Sequence, residues 1–332
     1  KYPYPSDHHP VIVELEAVSL DDIMLSKSID FGENKTVEVV FKNSWFEKSN
    51  YVYNHELAQF CADYVMMGYC ENKQKMEGYL KEMGFDTIDC CMAAGRDEVN
   101  YFIASKNITV NGKTETLVFA AFIGSYKDQW YSNFDPYGTQ RANWKDRNAP
   151  YAAESEKDKV HLGFADAREY VYARLKEYIT KNNINKDNMK LLLSGHSRGA
   201  ATANLLAAKL IDESSVNTAT ATVYGDDIYT YTFATPNTAL TSLGTQQSNY
   251  KKIFNIVNPE DFVTKVMLKY WGFGRYGTTY TLPSKENDNN YKSYLKNMKF
   301  LWCTARLSLA KYFLPLVLAL CMVLCVVFSS MP

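Results

Sequence analysis

Along most of the chain, apolar and polar positions follow one of two periods. Tyr51 to Gly68 carries Leu57, Phe60, Cys61, Tyr64 and Val65 at helical spacing, which predicts a helix. Lys73 to Met83 predicts a second helix, stopped by Gly84. From Asn100 to Thr109 the pattern switches to alternation, and Asn111-Gly112 then signals a two-residue hairpin turn. The return strand, Thr114 to Ile123, ends in Leu117-Val-Phe-Ala-Ala-Phe-Ile123. A run apolar on both faces suits a central strand of a covered sheet. Ala165 to Thr180 is amphipathic, and Ile228 to Ala234 and Lys252 to Val257 read as further strands. Nearer the start, Val11 to Val18 and Thr36 to Phe41 also read as strands. Strand–helix–strand alternation predicts an α/β fold, a mostly parallel sheet with helices on both faces.

One stretch carries chemistry. Lys190 to Ile211 is an apolar strand, a glycine-flanked turn and an alanine-rich helix. The turn, Gly195-His196-Ser197-Arg198-Gly199, has the G-x-S-x-G spacing of a nucleophile elbow. A serine at so tight a turn needs neighbours without bulk, which Gly195 and Gly199 supply. The following helix start directs free N–H groups at the serine oxygen, where an oxyanion would develop. Gly124-Ser125 ends the apolar strand at 117–123, at the sheet edge where open α/β folds gather their sites. Residues 126–160 bring Trp130, Tyr131, Phe134, Tyr137, Trp144 and Tyr151 into one long polar loop, either a lid or a surface insertion.

Composition narrows the function classes. Lys plus Arg number 36 against 37 Asp plus Glu, so no basic excess argues for nucleic acid. The 7 cysteines form no C-x-x-C pair, and no metal site or cofactor is expected. A bridge from Cys61 or Cys70 to the Cys90 region is compatible with export, as are the sequons at Asn34 and Asn107. The chain starts at Lys1, which suggests processing or a fragment. Tyr312 to Phe328 is an uncharged apolar run of 17 residues, the short end of a membrane span. A transmembrane anchor at 312–328 is expected, with a buried core helix the alternative. Arg306 and Lys311 flank it on the side of the main domain and place that domain in the cytoplasm by charge bias. A removed signal peptide would place it outside, so the side of the membrane stays open. The expected organisation is an N-terminal extension at 1–50, a catalytic domain at 51–291 and a tail at 292–332.

Taken together, these motifs resemble the class 3 lipase family, α/β-hydrolases that include fungal triacylglycerol lipases. Phe122-Ile123-Gly124-Ser125 is similar to the family's oxyanion-loop motif, usually Phe-Arg-Gly-Thr. His161-x-Gly163-Phe164 matches the segment before the elbow, and the elbow itself is typically Gly-His-Ser-Leu-Gly-Gly/Ala. Tyr231-Thr-Phe-Ala-Thr-Pro236 resembles Thr-Phe-Gly-x-Pro, and Asn258-x-x-Asp261-x-Val263 resembles the segment with the triad aspartate. The resemblance covers roughly Tyr51 to Leu282. It implies hydrolysis of carboxylic esters, acyl lipids foremost, through an acyl-enzyme on Ser197. Asp261 would orient the base, and Arg198 and Ser125 would form the oxyanion hole. Glu260 and Asp226 stand by if Asp261 lies on the wrong edge. His196 reads as structural. The chain departs from the pattern at the base: none of its 5 histidines follows Asp261, and Arg275 stands where some members carry one. A base beyond Pro332, His161 folding in, or loss of hydrolysis would each account for this. The last makes the chain a membrane-tethered, lipase-like binding protein without turnover.

Overall fold

The alternating segments assemble into one seven-stranded sheet, described by a computed structural model for residues 27–30, 36–70, 72–126, 129–137, 152, 154–156, 159–265 and 269–283. A short antiparallel pair, β1 (Lys27–Asp30) and β2 (Thr36–Val39), precedes it. Helices α1 (His55–Met67) and α2 (Lys73–Glu82) follow, capped by the side chains of Asn54 and Asn72. Then come β3 (Thr87–Cys91), β4 (Tyr101–Val110) and β5 (Lys113–Phe122), an antiparallel meander turned at Asn111-Gly112. Helices α3 (Gln129–Asn133) and α4 (Leu162–Lys181) lead to β6 (Met189–His196) and α5 (Arg198–Val216). The remaining strands are β7 (Ile228–Phe233), β8 (Ala239–Leu240), β9 (Ile253–Val257), β10 (Phe273–Gly274) and β11 (Thr278–Thr281). Strand order in the sheet is β11-β9-β7-β6-β5-β4-β3, and β8 pairs with β10 separately.

Strands β5, β6, β7 and β9 run parallel, as the apolar runs and intervening helices require. Their side chains divide by the two-residue period. Val118, Ala120, Phe122, Leu191, Leu193 and Ile228 share a core with α4 and α5. Phe119 faces the other way, with ring centroids 5.5 Å from Phe60 and 5.7 Å from Tyr64 of α1. Helices therefore cover both faces. Phe119 is fully buried, and truncating such a side chain to alanine costs about 3–5 kcal/mol. On α5, Ala200, Ala201 and Ala203 are fully buried, so the helix lies close on the sheet.

Several boundaries moved for identifiable reasons. Helix α4 starts at Leu162 rather than Ala165 because the His161 side chain caps it, accepting from the Phe164 N–H. Strand β3 has only one fully buried side chain in its five residues, so its periodicity is faint. The sequence reading assigned residues 1–50 to an extension. Its last part packs into the body: Phe41, Trp45 and Phe46 are buried, and Tyr229 donates to the Phe46 and Lys48 carbonyls. Contacts divide the described residues into 27–257 with 261–280, and 258–260 with 281–283. Cys61, Cys70, Cys90 and Cys91 are free thiols, so the bridge considered from sequence is not formed. The strand expected at Val11–Val18 and the apolar run at 312–328 lie outside the described residues. Among the described residues, no helix is long and apolar enough to cross a membrane.

Candidate active site

Strand β6 delivers Ser197 to the C-terminal edge of the sheet. Its backbone has φ 55° and ψ −120°, a region that costs a side-chain-bearing residue energy. The turn is held by the Ser197 N–H donating to Phe233 O at 3.0 Å and by Ser197 O accepting from the Ala201 N–H at 3.0 Å. Ser197 occupies the N-cap position of α5 but its hydroxyl makes no cap bond. It is therefore available for chemistry at the positive end of a long helix. The flanking glycines are sterically required. A Cβ on Gly195 would overlap the backbone of Gly199, and one on Gly199 would overlap the carbonyl of Phe122 on β5.

That second contact ties the elbow to the loop after β5. There, Ile123 N–H donates to Asn100 O at 2.8 Å. The Tyr69 phenol sits where a Cβ of Gly124 would be. The phenolic oxygen lies 2.7 Å from His196 Nδ1, within hydrogen-bond distance. His196 is engaged by that phenol, and burial lowers its pKa to about 4. Ser125, the last residue of the motif, is half-buried, and its Oγ accepts from Asn133 Nδ2 at 2.6 Å.

Arg198 does more than offer a backbone N–H. Its side chain is buried to 1% exposure beneath the site. Nε donates to Glu98 O at 3.0 Å, Nη1 to Asn133 Oδ1 at 2.9 Å, and Nη2 to Ser132 Oγ at 3.3 Å and Gly163 O at 3.1 Å. One guanidinium so joins the β3–β4 loop, α3 and the start of α4. The sequence reading missed this role and that of Asn133. The available signal was arginine in the elbow position where the family pattern has leucine.

Asp261 follows β9, which runs parallel to β7 and β6, so it shares the sheet edge of Ser197. Its Oδ1 accepts from the Val263 N–H at 2.9 Å, and burial raises its pKa against that bond. Asp226 precedes β7, at the opposite edge, where it pairs with Lys252 at 3.1 Å. Glu260 N–H donates to Asn258 Oδ1, a local turn. Arg275 is buried, with Nη2 donating to Thr264 O at 2.6 Å and to Asn237 Oδ1 at 3.0 Å. Burial lowers its pKa to about 10, which still leaves it protonated at neutral pH.

The histidines fail to supply a base among the described residues. His161 is fully buried, with Nε2 donating to Asn133 O at 2.9 Å and Nδ1 accepting from Phe164 N–H at 3.3 Å. Both nitrogens are occupied, its ring stacks on Phe164, and burial lowers its pKa to about 4. It is a loop-holding residue, which removes it as the stand-in base. His55 lies at the exposed start of α1, 3.3 Å from the Tyr53 hydroxyl. No group of three or more His, Cys, Asp or Glu among the described residues is arranged to hold a metal.

Comparison with known proteins finds fungal lipases at low identity. The chain is similar to a fungal lipase–inhibitor complex at 16% identity, covering 72% of this chain and 84% of that one with a TM-score of 0.49. It is similar to the Rhizomucor miehei lipase propeptide complex at 17% identity, covering 86% and 79% with a TM-score of 0.46. Lipase II from Rhizopus niveus matches at 14% identity, covering 71% and 84% with a TM-score of 0.44. No curated protein sequence matches the chain. The family model for lipase (class 3) matches residues 119–271, a stretch that opens inside β5 and holds Ser125, the elbow and Asp261. Over those residues the chain is similar to the class 3 lipase family.

Proposed function

We propose that the protein is a serine hydrolase of carboxylic esters, with acyl lipids as its substrate class. Ser197 is the nucleophile, the N–H groups of Arg198 and Ser125 bind the oxyanion, and Asp261 orients the base. The observation that carries this is the strained Ser197 backbone at the start of α5, with a hydroxyl free of any cap bond. Strain of this kind persists where the surrounding structure over-determines it, and nucleophile elbows are one such place. An acyl-lipid substrate is supported by apolar side chains exposed on the loops after β5 and β9. Phe134, Phe262, Tyr270 and Trp271 stand out there, Tyr270 at 93% exposure. The run at 312–328 supports tethering to a membrane, which carbonate extraction tests.

A second reading is favoured by the described histidines, each of which is engaged elsewhere. In that reading the domain binds acyl esters and turns them over slowly or not at all. A positioned base contributes about 10²–10⁴-fold. The residual from an oxyanion hole and binding alone is about 10³–10⁴-fold over water. The test is fluorophosphonate labelling of Ser197, with hydrolysis of short and long acyl esters, beside Ser197→Ala. Labelling and turnover that vanish in Ser197→Ala establish the hydrolase. Ester binding with no labelling at any pH establishes the binding protein. Trp271→Ala should lower turnover of emulsified long-chain esters and leave soluble short-chain esters unchanged.

A further inference from the structure

We infer that the Arg198 side chain is a positioning residue that sets the second donor of the oxyanion hole through Asn133, so that Arg198 governs both halves of the hole. The inference deepens the hydrolase reading and rests on it. Its basis is the direction of two hydrogen bonds. A guanidinium can only donate. The 2.9 Å contact from Arg198 Nη1 therefore requires the oxygen of the Asn133 amide to face it. The amide orientation is then settled: Nδ2 faces Ser125 and donates to Oγ at 2.6 Å. Ser125 Oγ is thereby an acceptor on that side, and its own proton is left to point elsewhere. Among the described residues no protein acceptor takes that proton. A hydroxyl held this way donates to charge developing on a substrate oxygen beside the elbow.

Supports around the relay hold it still. Asn133 is buried, and its carbonyl accepts from His161 Nε2 at 2.9 Å. The guanidinium itself is anchored at Glu98 O and Gly163 O, on loops flanking the site. Leucine, usual at this elbow position in the family pattern, offers no such control. The inference thus concerns what this chain does with its departure from the pattern. Buried donors fixed before the reaction stabilise an oxyanion without reorganising during it.

The decisive variant is Asn133→Asp in the full chain. A carboxylate accepts from Arg198, so the clamp gains an ion pair and the fold keeps its hub. The same carboxylate accepts the Ser125 proton, which is then withdrawn from the substrate. Expected, for ester hydrolysis and fluorophosphonate labelling, is a fall in kcat and in labelling rate. Its size should match Ser125→Ala, about a hundredfold, at the low end for loss of one oxyanion donor. KM should change by less than about twofold, and Tm should not drop. The double variant should be no slower than Ser125→Ala alone. Arg198→Leu should lower kcat too, with a lower Tm. Wild-type kcat in Asn133→Asp, or losses that multiply in the double variant, overturn the relay while the hydrolase reading stands. A wild-type protein that does not label above Ser197→Ala overturns the hydrolase reading, and the relay falls with it.

Discussion

Replacing Ser197 by glycine should stabilise the protein relative to replacing it by alanine. Both variants remove the hydroxyl, so they differ only in how they tolerate the backbone. At φ 55° and ψ −120° an alanine keeps the strain of the native serine, whereas glycine reaches this region freely. Strain at such a position is about 1–3 kcal/mol. Glycine returns about 0.5–1 kcal/mol through its greater freedom in the unfolded chain. Taking the middle of each range, the net gain for Ser197→Gly over Ser197→Ala is about 1 kcal/mol. For a domain of this size each kcal/mol moves Tm by about 2–4 °C, so the two variants should differ by about that much. The hydroxyl forms no cap bond and contributes nothing to either difference. Calorimetric melts of the two variants at one pH and concentration make the comparison. Equal melting temperatures, or a less stable glycine variant, refute the claim that the elbow stores strain.

The same reasoning applies at the end of β7, where Ala234 has φ 51° in the place of the family's glycine, so Ala234→Gly should raise Tm by a few degrees, about 1 kcal/mol. Gly199→Ala drives a Cβ onto the Phe122 carbonyl and should cost about 1–3 kcal/mol, whereas Gly78→Ala in α2 meets nothing within 4 Å and should stabilise by about 0.5–1 kcal/mol; denaturant melts of the pair check both signs. Burial lowers the His161 pKa from 6.5 to about 4, so the folded state binds fewer protons than the unfolded one between those values. Its contribution is complete above about pH 6.5 and is lost as pH falls toward 4, at most about 3 kcal/mol. Melts of wild type and His161→Asn across that window isolate it, because the opposite-signed contribution of Asp63, raised to about 7, is common to both. Parallel curves would show that His161 is not buried neutral.

Local sequence was enough for whatever depends on period or on glycine. The two-sided apolar run before Gly124 marked a covered central strand because its residues meet helices on both faces, Phe119 against α1 and Val118 against α4 and α5. Gly195 and Gly199 marked the elbow because backbone atoms approach closer there than any Cβ allows. Asp261 came from the family resemblance with its edge left open, and the parallel course of β6, β7 and β9 is what sends the end of β9 to the Ser197 edge. Contacts between distant segments decided the rest. Nothing local reveals that Arg198 reaches Glu98, Ser132, Asn133 and Gly163, because those partners meet only after three loops converge on one sheet edge. In the sequence, His161 folding in was one of three accounts of the missing base. Folding gave both of its nitrogens to neighbouring backbone, because a buried imidazole must satisfy its polar atoms. Residue type and spacing mark where the backbone must be tight, whereas the use of a buried polar side chain depends on which segments pack around it.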